Sequence, residues 1–216
     1  MRRCIAAILT STFVLLSSIS SPAQESGFTS LFDGKTLKGW TGGEGGYVVK
    51  EGAIVCDPKA KGGGNLYTEK EYGNFELRFE FRLEKASNNG IGIRAPKEGD
   101  PAFAGMEIQV LDDGDVAYKD IQPYQSHGSV YGVIAAKRGF LKPVGEWNSE
   151  TIRIEGSKIK ITLNGEVIVD GDIKEASKNG TIDKREHPGL KREKGYICFC
   201  GHGAYAAFRN LQIKEL

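Results

Sequence analysis

Long apolar runs are almost missing from this 216-residue chain. The clearest one, Ile5 to Leu16, is shorter than the roughly 20 residues a bilayer-spanning helix requires. An excess of charge is missing too: 29 Lys and Arg face 28 Asp and Glu, a formal +1. No basic stripe interleaved with aromatics is present, so nothing favours nucleic acid as a partner. No segment sustains a helical 3.6-residue period, which restricts helices to short, peripheral pieces. Cysteines number four, too few for a disulfide-dense scaffold. Internal repeats and low-complexity linkers are absent as well.

The N-terminus has the pattern of a targeting segment. Arg2 and Arg3 precede the apolar run, and Ser21-Pro22-Ala23 supplies small residues for cleavage before Gln24. Residues 1–23 are thus expected to be a signal peptide, with 24–216 forming one domain in the periplasm or outside the cell. Its removal leaves 27 basic against 28 acidic residues. Cys56, Cys198 and Cys200 then remain. Cys198 and Cys200 share a strand face and should not bridge each other. Cys56 pairing with one of them and three buried free thiols are both open, with a metal site made of these three as a third choice.

What the chain does contain is strict alternation. Phe75, Leu77, Phe79, Phe81 and Leu83 alternate with Glu76, Arg78, Glu80, Arg82 and Glu84, the signature of a strand with one buried and one wet face. Thr151–Asp170 alternates likewise, and Asn164-Gly165 within it marks a hairpin turn. Shorter strands are predicted at 47–50, 53–56, 65–68, 129–134, 195–200 and 205–214, with 172–194 a long charged loop. Many half-buried strands without repeats predict an all-β fold of two antiparallel sheets packed face to face.

The most informative stretch is Gly105–Asp112. On a strand, Met106, Ile108 and Val110 point inward while Glu107 and Gln109 share the other face, roughly 6.6 Å apart. Upstream, Gly90, Gly92 and Arg94 share one face, with Ile91 and Ile93 opposite, and the glycines leave room above the sheet. An acid, an amide and a guanidinium on one cleared face suit a polar ligand of sugar size. A solvated face with Glu107 and Arg94 as an ordinary ion pair is the structural alternative. Asp112, five residues beyond Glu107, would join this face only through a bulge. His202 between glycines reads as a site loop; His127 ranks below it, and His187 reads as solvated. Tyr131 could hydrogen-bond a sugar, Trp40 and Trp147 read as core, and Arg209 as structural.

Several segments together resemble one family. They are Phe28-x-x-Leu31-Phe32-Asp33-Gly34-Lys35-x-Leu37-x-Gly39-Trp40, Tyr72-x-Asn74-Phe75-Glu76-Leu77, Asn89-Gly90-Ile91 leading to Arg94, and Glu107-x-Gln109-x-x-Asp112. Gly128 to Gly132, Gly145-Glu146-Trp147-Asn148, Leu163-Asn164-Gly165, His202-Gly203 and Phe208-Arg209-Asn210 complete the set. The chain resembles the 3-keto-disaccharide hydrolases, also described as 3-keto-glucoside lyases and hydratases. The resemblance implies a concanavalin-like jelly-roll sandwich, secreted by bacteria, acting on oxidised sugars. One departure stands out: where the family often has Gln-Asp before His-Gly, this chain has Cys200-Gly201.

The chemistry such a substrate requires is modest. A ketone at C3 acidifies the hydrogen at C2, so the C1 oxygen leaves by elimination and water then adds. Glu107 is the expected base, Arg94 the enolate-stabilising cation and His202 the proton shuttle. Gln109, Asp112, Tyr131 and His127 are the expected substrate contacts. No cofactor is specified. A divalent cation on Glu107, His202 and Asp112 is left open, because no compact spacing motif demands one. With no oxidase domain in the chain, a separate sugar 3-dehydrogenase would make the substrate. The competing reading is a noncatalytic carbohydrate-binding module on the same sandwich, and a third is an envelope protein whose sheet face binds protein.

Overall fold

The computed structural model describes residues 27–60 and 62–216, so the expected signal peptide lies outside the described residues. In chain order the strands are β1 (Thr29–Ser30), β2 (Trp40–Gly42), β3 (Tyr47–Lys50), β4 (Ala53–Cys56), β5 (Asn65–Tyr72), β6 (Phe75–Leu83) and β7 (Asn88–Ala95). After a four-residue helix α1 (Pro101–Ala104) come β8 (Met106–Leu111), β9 (Asn148–Glu155), β10 (Lys158–Leu163) and β11 (Glu166–Asp172). Helix α2 (Ile173–Ser177) leads to β12 (Gly195–Gly201) and β13 (Ala206–Glu215). Mostly antiparallel strands with few short helices confirm the all-β class.

Two sheets form. The larger runs β11-β10-β9-β6-β13-β4-β3, with β1 on the far half of β13; the smaller runs β2-β5-β12-β7-β8. Strand β6 is central to the first, and its burial alternates without exception. Its inward Phe75, Leu77 and Phe81 are essentially inaccessible, while outward Glu76 meets Arg153 at 3.2 Å and Glu80 meets Arg209 at 2.6 Å. The hairpin at Asn164-Gly165 has φ of 51° and 90°, the positive pair a type I′ turn demands. Phe199 of β12 stacks on Phe208 of β13 at 4.1 Å and on Trp40 at 5.0 Å, joining the sheets across the core. Burying each such ring contributes roughly 1.5–3 kcal/mol. Trp40 is core as expected; Trp147 instead lies half-buried on the outside, flanked by the guanidinium groups of Arg82 and Arg209.

Some expectations fail for identifiable reasons. Residues 129–134 are not a strand: Val130 makes single bridges to Ile108 and Ile134, and Gly132 at φ 73° turns the chain back. Segment 172–194, expected as a long loop either flexible or rimming the site, instead carries the short helix α2 and a further helical turn at Pro188–Lys191, with Ile173 and Gly189 buried. His187 is not solvated. It is buried, with Nδ1 3.0 Å from the carbonyl of Ala102 and Nε2 3.0 Å from Asp183. Cys56, Cys198 and Cys200 are free and buried.

His127 is part of the interior. The Leu111 N–H donates to its Nδ1 at 3.3 Å, so Nε2 carries the proton and donates to Glu150 at 2.9 Å. Its ring stacks on Phe81, and both ring nitrogens are committed. No atom is left for a substrate, so its expected role as a ligand contact gives way to a structural one. His127→Ala should cost about 2–4 kcal/mol in urea unfolding, because the Glu150 carboxylate and a backbone N–H lose their buried partner. A loss below about 1 kcal/mol, the scale of a single net hydrogen bond, would show that this pair is not holding the sheets together.

Candidate active site on the smaller sheet

The site is built by register. Across the outer face of the smaller sheet, Tyr67, Cys198, Gly92 and Glu107 form one row of cross-strand neighbours. Asn65, Cys200, Gly90 and Gln109 form the next. The two glycines sit where side chains would otherwise stand. Glu107 uses the gap: a β-carbon placed on Gly90 would overlap its carboxylate and side-chain stem. The side chain therefore leans diagonally over Gly90 and reaches His202, whose Nε2 is 3.1 Å from Oε1. Over Gly92 lies instead the Cys198 thiol, with Pro101 of α1 above it.

Burial separates the pair's two members. The Glu107 side chain is 5% exposed and that of His202 42%. The hydrogen bond that His202 donates to the Glu107 carboxylate raises the His202 pKa above the ordinary histidine range, against the opposing effect of burial. Asp100 adds to this from nearby, but its own carboxylate accepts the Ala102 N–H at 3.0 Å and caps α1. The Cys200 thiol, hydrogen-bonded to Cys198 and buried, has its pKa pushed up, so it forms a wall of the site rather than a nucleophile. The Tyr67 hydroxyl, pKa raised by burial, accepts from the Asn65 amide at 3.1 Å.

Other expected site residues divide into two groups. Gln109 does share the face of Glu107, and its Nε2 donates to Asn88 at 3.4 Å. Tyr131 is adjacent: its backbone N–H donates to the Glu107 carbonyl, and its hydroxyl accepts from Gln125 at 3.3 Å. Phe103 and Tyr124 contact its ring edge-on. Asp112 is not brought in. It lies one residue beyond β8, where its carboxylate accepts the Ala86 N–H at 2.9 Å. Glu107 and His202 thus lack Asp112 as a third metal ligand, and among the described residues no group of three His, Cys, Asp or Glu is placed to hold a metal ion.

Arg94 is the main correction. Regular alternation would put it beside Glu107, yet the β7–β12 register slips between Tyr196 and Cys198 and Arg94 adopts φ 48°. This bulge sends its side chain toward the end of the sandwich. There it donates to the carbonyls of Gly73, Gly156 and Arg192 and to the Asn74 amide oxygen. The structure therefore does not bring Arg94 to the carboxylate it was expected to assist.

Asn65, Tyr67 and Asn88 stand on this face as well, beside the residues the alternation pointed to. The first two alternate with buried Leu66, so the argument that found Glu107 and Gln109 applies to them equally once β5 is paired with β12.

Comparison with known proteins agrees with this architecture. The sandwich is of the galectin and concanavalin kind, and a carbohydrate-binding module from Bacillus subtilis shares it at a TM-score of 0.54 with 13% identity. The chain belongs to the family described as the 3-keto-alpha-glucoside-1,2-lyase-like domain, which it matches over residues 27–214. It is similar to a 3-keto-disaccharide hydrolase of Bacteroides thetaiotaomicron, 28% identical across 93% of this chain and 82% of that protein. A crystal structure from Parabacteroides distasonis, described as a candidate glycosyl hydrolase, superposes with a TM-score of 0.74 at 27% identity, covering 88% of this chain and 94% of that one.

The Gly90 gap makes a direct prediction. Gly90→Ala should displace the Glu107 carboxylate and lower the His202 pKa toward the ordinary value, read by NMR titration of the imidazole. The same linkage has a sign. A raised folded pKa stabilises the fold below the ordinary histidine range, and that contribution is lost as pH rises through the raised value. His202→Ala should therefore flatten this part of the stability-versus-pH curve. A His202 titration unmoved by Gly90→Ala would show that the gap does not position the acid.

Proposed function

We propose that this protein cleaves the glycosidic bond of 3-keto sugars by elimination followed by hydration, a net hydrolysis. Family membership supports the substrate class. The observation that carries the mechanism is one buried carboxylate paired with one half-exposed imidazole on a cleared sheet face. Ordinary glycosidases flank the bond with two carboxyl groups. Here the other carboxylate acting on His202, that of Asp100, is committed to capping α1.

A 3-keto substrate makes the single carboxylate sufficient. Glu107 takes the proton from C2, and the electron pair of that C–H bond becomes the enolate. Collapse of the enolate forms the C1–C2 double bond and expels the aglycone oxygen from C1. His202, held protonated to higher pH by Glu107, donates the proton that the leaving oxygen needs. It is also in direct contact with the carboxylate, so the enolate-stabilising part expected of Arg94 falls to it. Water then adds across the double bond, its oxygen to C1 and its proton to C2. Gln109 and Asn65 would hold sugar hydroxyls. We further propose that residues 1–23 direct export and that a separate dehydrogenase oxidises C3 beforehand.

The test is release of nitrophenol from a nitrophenyl 3-keto-glucoside and from its unoxidised parent, with and without chelator. Cleavage of the keto form alone is expected, and Glu107→Gln should reduce it by about 10²–10⁴-fold, the usual contribution of a positioned base. Wild-type rates in that variant would remove Glu107 from the mechanism. Binding of the sugar without cleavage of either anomer would leave a carbohydrate-binding module.

A further inference from the structure

The bulge that removes Arg94 from the Glu107 face delivers it to a second place. Between the β5–β6 turn, the β9–β10 turn, the start of α2 and residues 190–194 lies a cavity of about 690 Å³. Ile173 and Leu190 contribute apolar surface, and the lining carries Arg94, Lys174, Lys191, Arg192 and Lys194 against the single acid Glu193. A chain with 29 basic and 28 acidic residues has concentrated one sign here.

Arg94 is only 5% exposed, and a guanidinium so buried is ordinarily matched by a carboxylate. Here no carboxylate bonds to it: its four hydrogen bonds go to three backbone carbonyls and one amide oxygen, all neutral, and Glu193 acts on it only through space. One of its five N–H groups remains uncommitted. A second guanidinium is tied to it, since Arg192 Nε donates to the Arg94 carbonyl at 2.9 Å while Arg94 donates to the Arg192 carbonyl. Lys174 and Lys191 form no ion pair among the described residues, and Lys194 is paired with Glu71 at 3.4 Å. Two adjoining cations without a bonded carboxylate, beside unpaired ammonium groups, produce a positive potential that an incoming anion would relieve.

We propose that this cavity is a binding site for a small molecule bearing an oxyanion, a carboxylate or a sulfate, of about the size of an acidic or sulfated monosaccharide. The free N–H of Arg94 and the ammonium groups of Lys174 and Lys191 hold the oxyanion, and Ile173 with Leu190 supplies an apolar surface for the rest. None of these residues belongs to the Glu107 cluster, so the site is separate from the proposed reaction.

Calorimetric titration of the whole protein with glucuronate, inorganic sulfate and glucose, at constant ionic strength, tests it. Saturable binding of glucuronate, with or without sulfate, and weakening by about tenfold or more in Lys174→Glu/Lys191→Glu are expected, since each reversal turns an attraction into a repulsion. Sulfate binding as well would mark recognition of the oxyanion alone; glucuronate alone would mark a sugar acid. The melting temperature of the double variant without ligand checks that it is folded, and Glu107→Gln should bind the anions as wild type does. No saturable binding of either anion, or binding untouched by Lys174→Glu/Lys191→Glu, would overturn the proposal. Glucuronate binding lost in Glu107→Gln would move that ligand to the other site and overturn it equally.

Discussion

The candidate active site depends on a missing atom, the β-carbon at position 90. A sheet face normally presents one side chain per residue pair, and the spacing between neighbouring strands leaves no room for a long side chain to lie flat. With glycine at 90, Glu107 can cross to its diagonal neighbour instead of standing upright. That crossing puts the carboxylate under His202, keeps it 95% out of solvent and makes the imidazole its partner. Gly90 itself has no unusual backbone angle. Its requirement is purely one of space, and the whole geometry of the acid follows from it.

Two His–Glu pairs in one protein show how burial decides what the same chemistry is for. His127 and Glu150 are 2% and 0% exposed at the side chain; both nitrogens of the histidine are bonded and its ring is stacked on Phe81. Nothing can approach it, and its proton has nowhere to go. His202 uses one nitrogen on Glu107 and leaves the other without a partner among the described residues. A proton can then pass between solvent or ligand and the carboxylate through the ring. Residue type and pairing are alike in the two cases, so accessibility is what separates a structural brace from the proposed shuttle.

The same distinction measures how much was legible in the sequence. Period-2 alternation located β6, the β9–β11 unit and the shared face of Glu107 and Gln109, because each follows from local geometry alone. The Asn164-Gly165 turn was legible for the same reason. Arg94 was misplaced because alternation assumes an unbroken ladder, and one residue of slip between β7 and β12 reverses every side chain beyond it. His187 was misplaced because its neighbourhood reads as charged loop, while its burial comes from α1, far away in sequence. Tyr67 and Asn65 could be assigned a common face from the sequence, but not a place beside Glu107. That needed β12 and β7 to be inserted between β5 and β8 in the sheet.

The slip at Arg94 also has a consequence for charge. On the outer face of the larger sheet, cations alternate with anions and meet them directly, as Arg153 does Glu76 and Glu155. Such pairs are exposed and each contributes little, but they cancel one another's field. Arg94 was removed from any such arrangement and anchored by neutral oxygens, with Glu193 the one carboxylate acting on it and that without a hydrogen bond, so much of its charge persists at the end of the sandwich. A buried cation held only by dipoles is stabilised enough to stay folded, yet its field still extends into the adjoining space. One bulge has thus relieved the Glu107 face of a competing cation, leaving His202 as its partner, and created a positive cavity elsewhere. The two features are consequences of a single change in register.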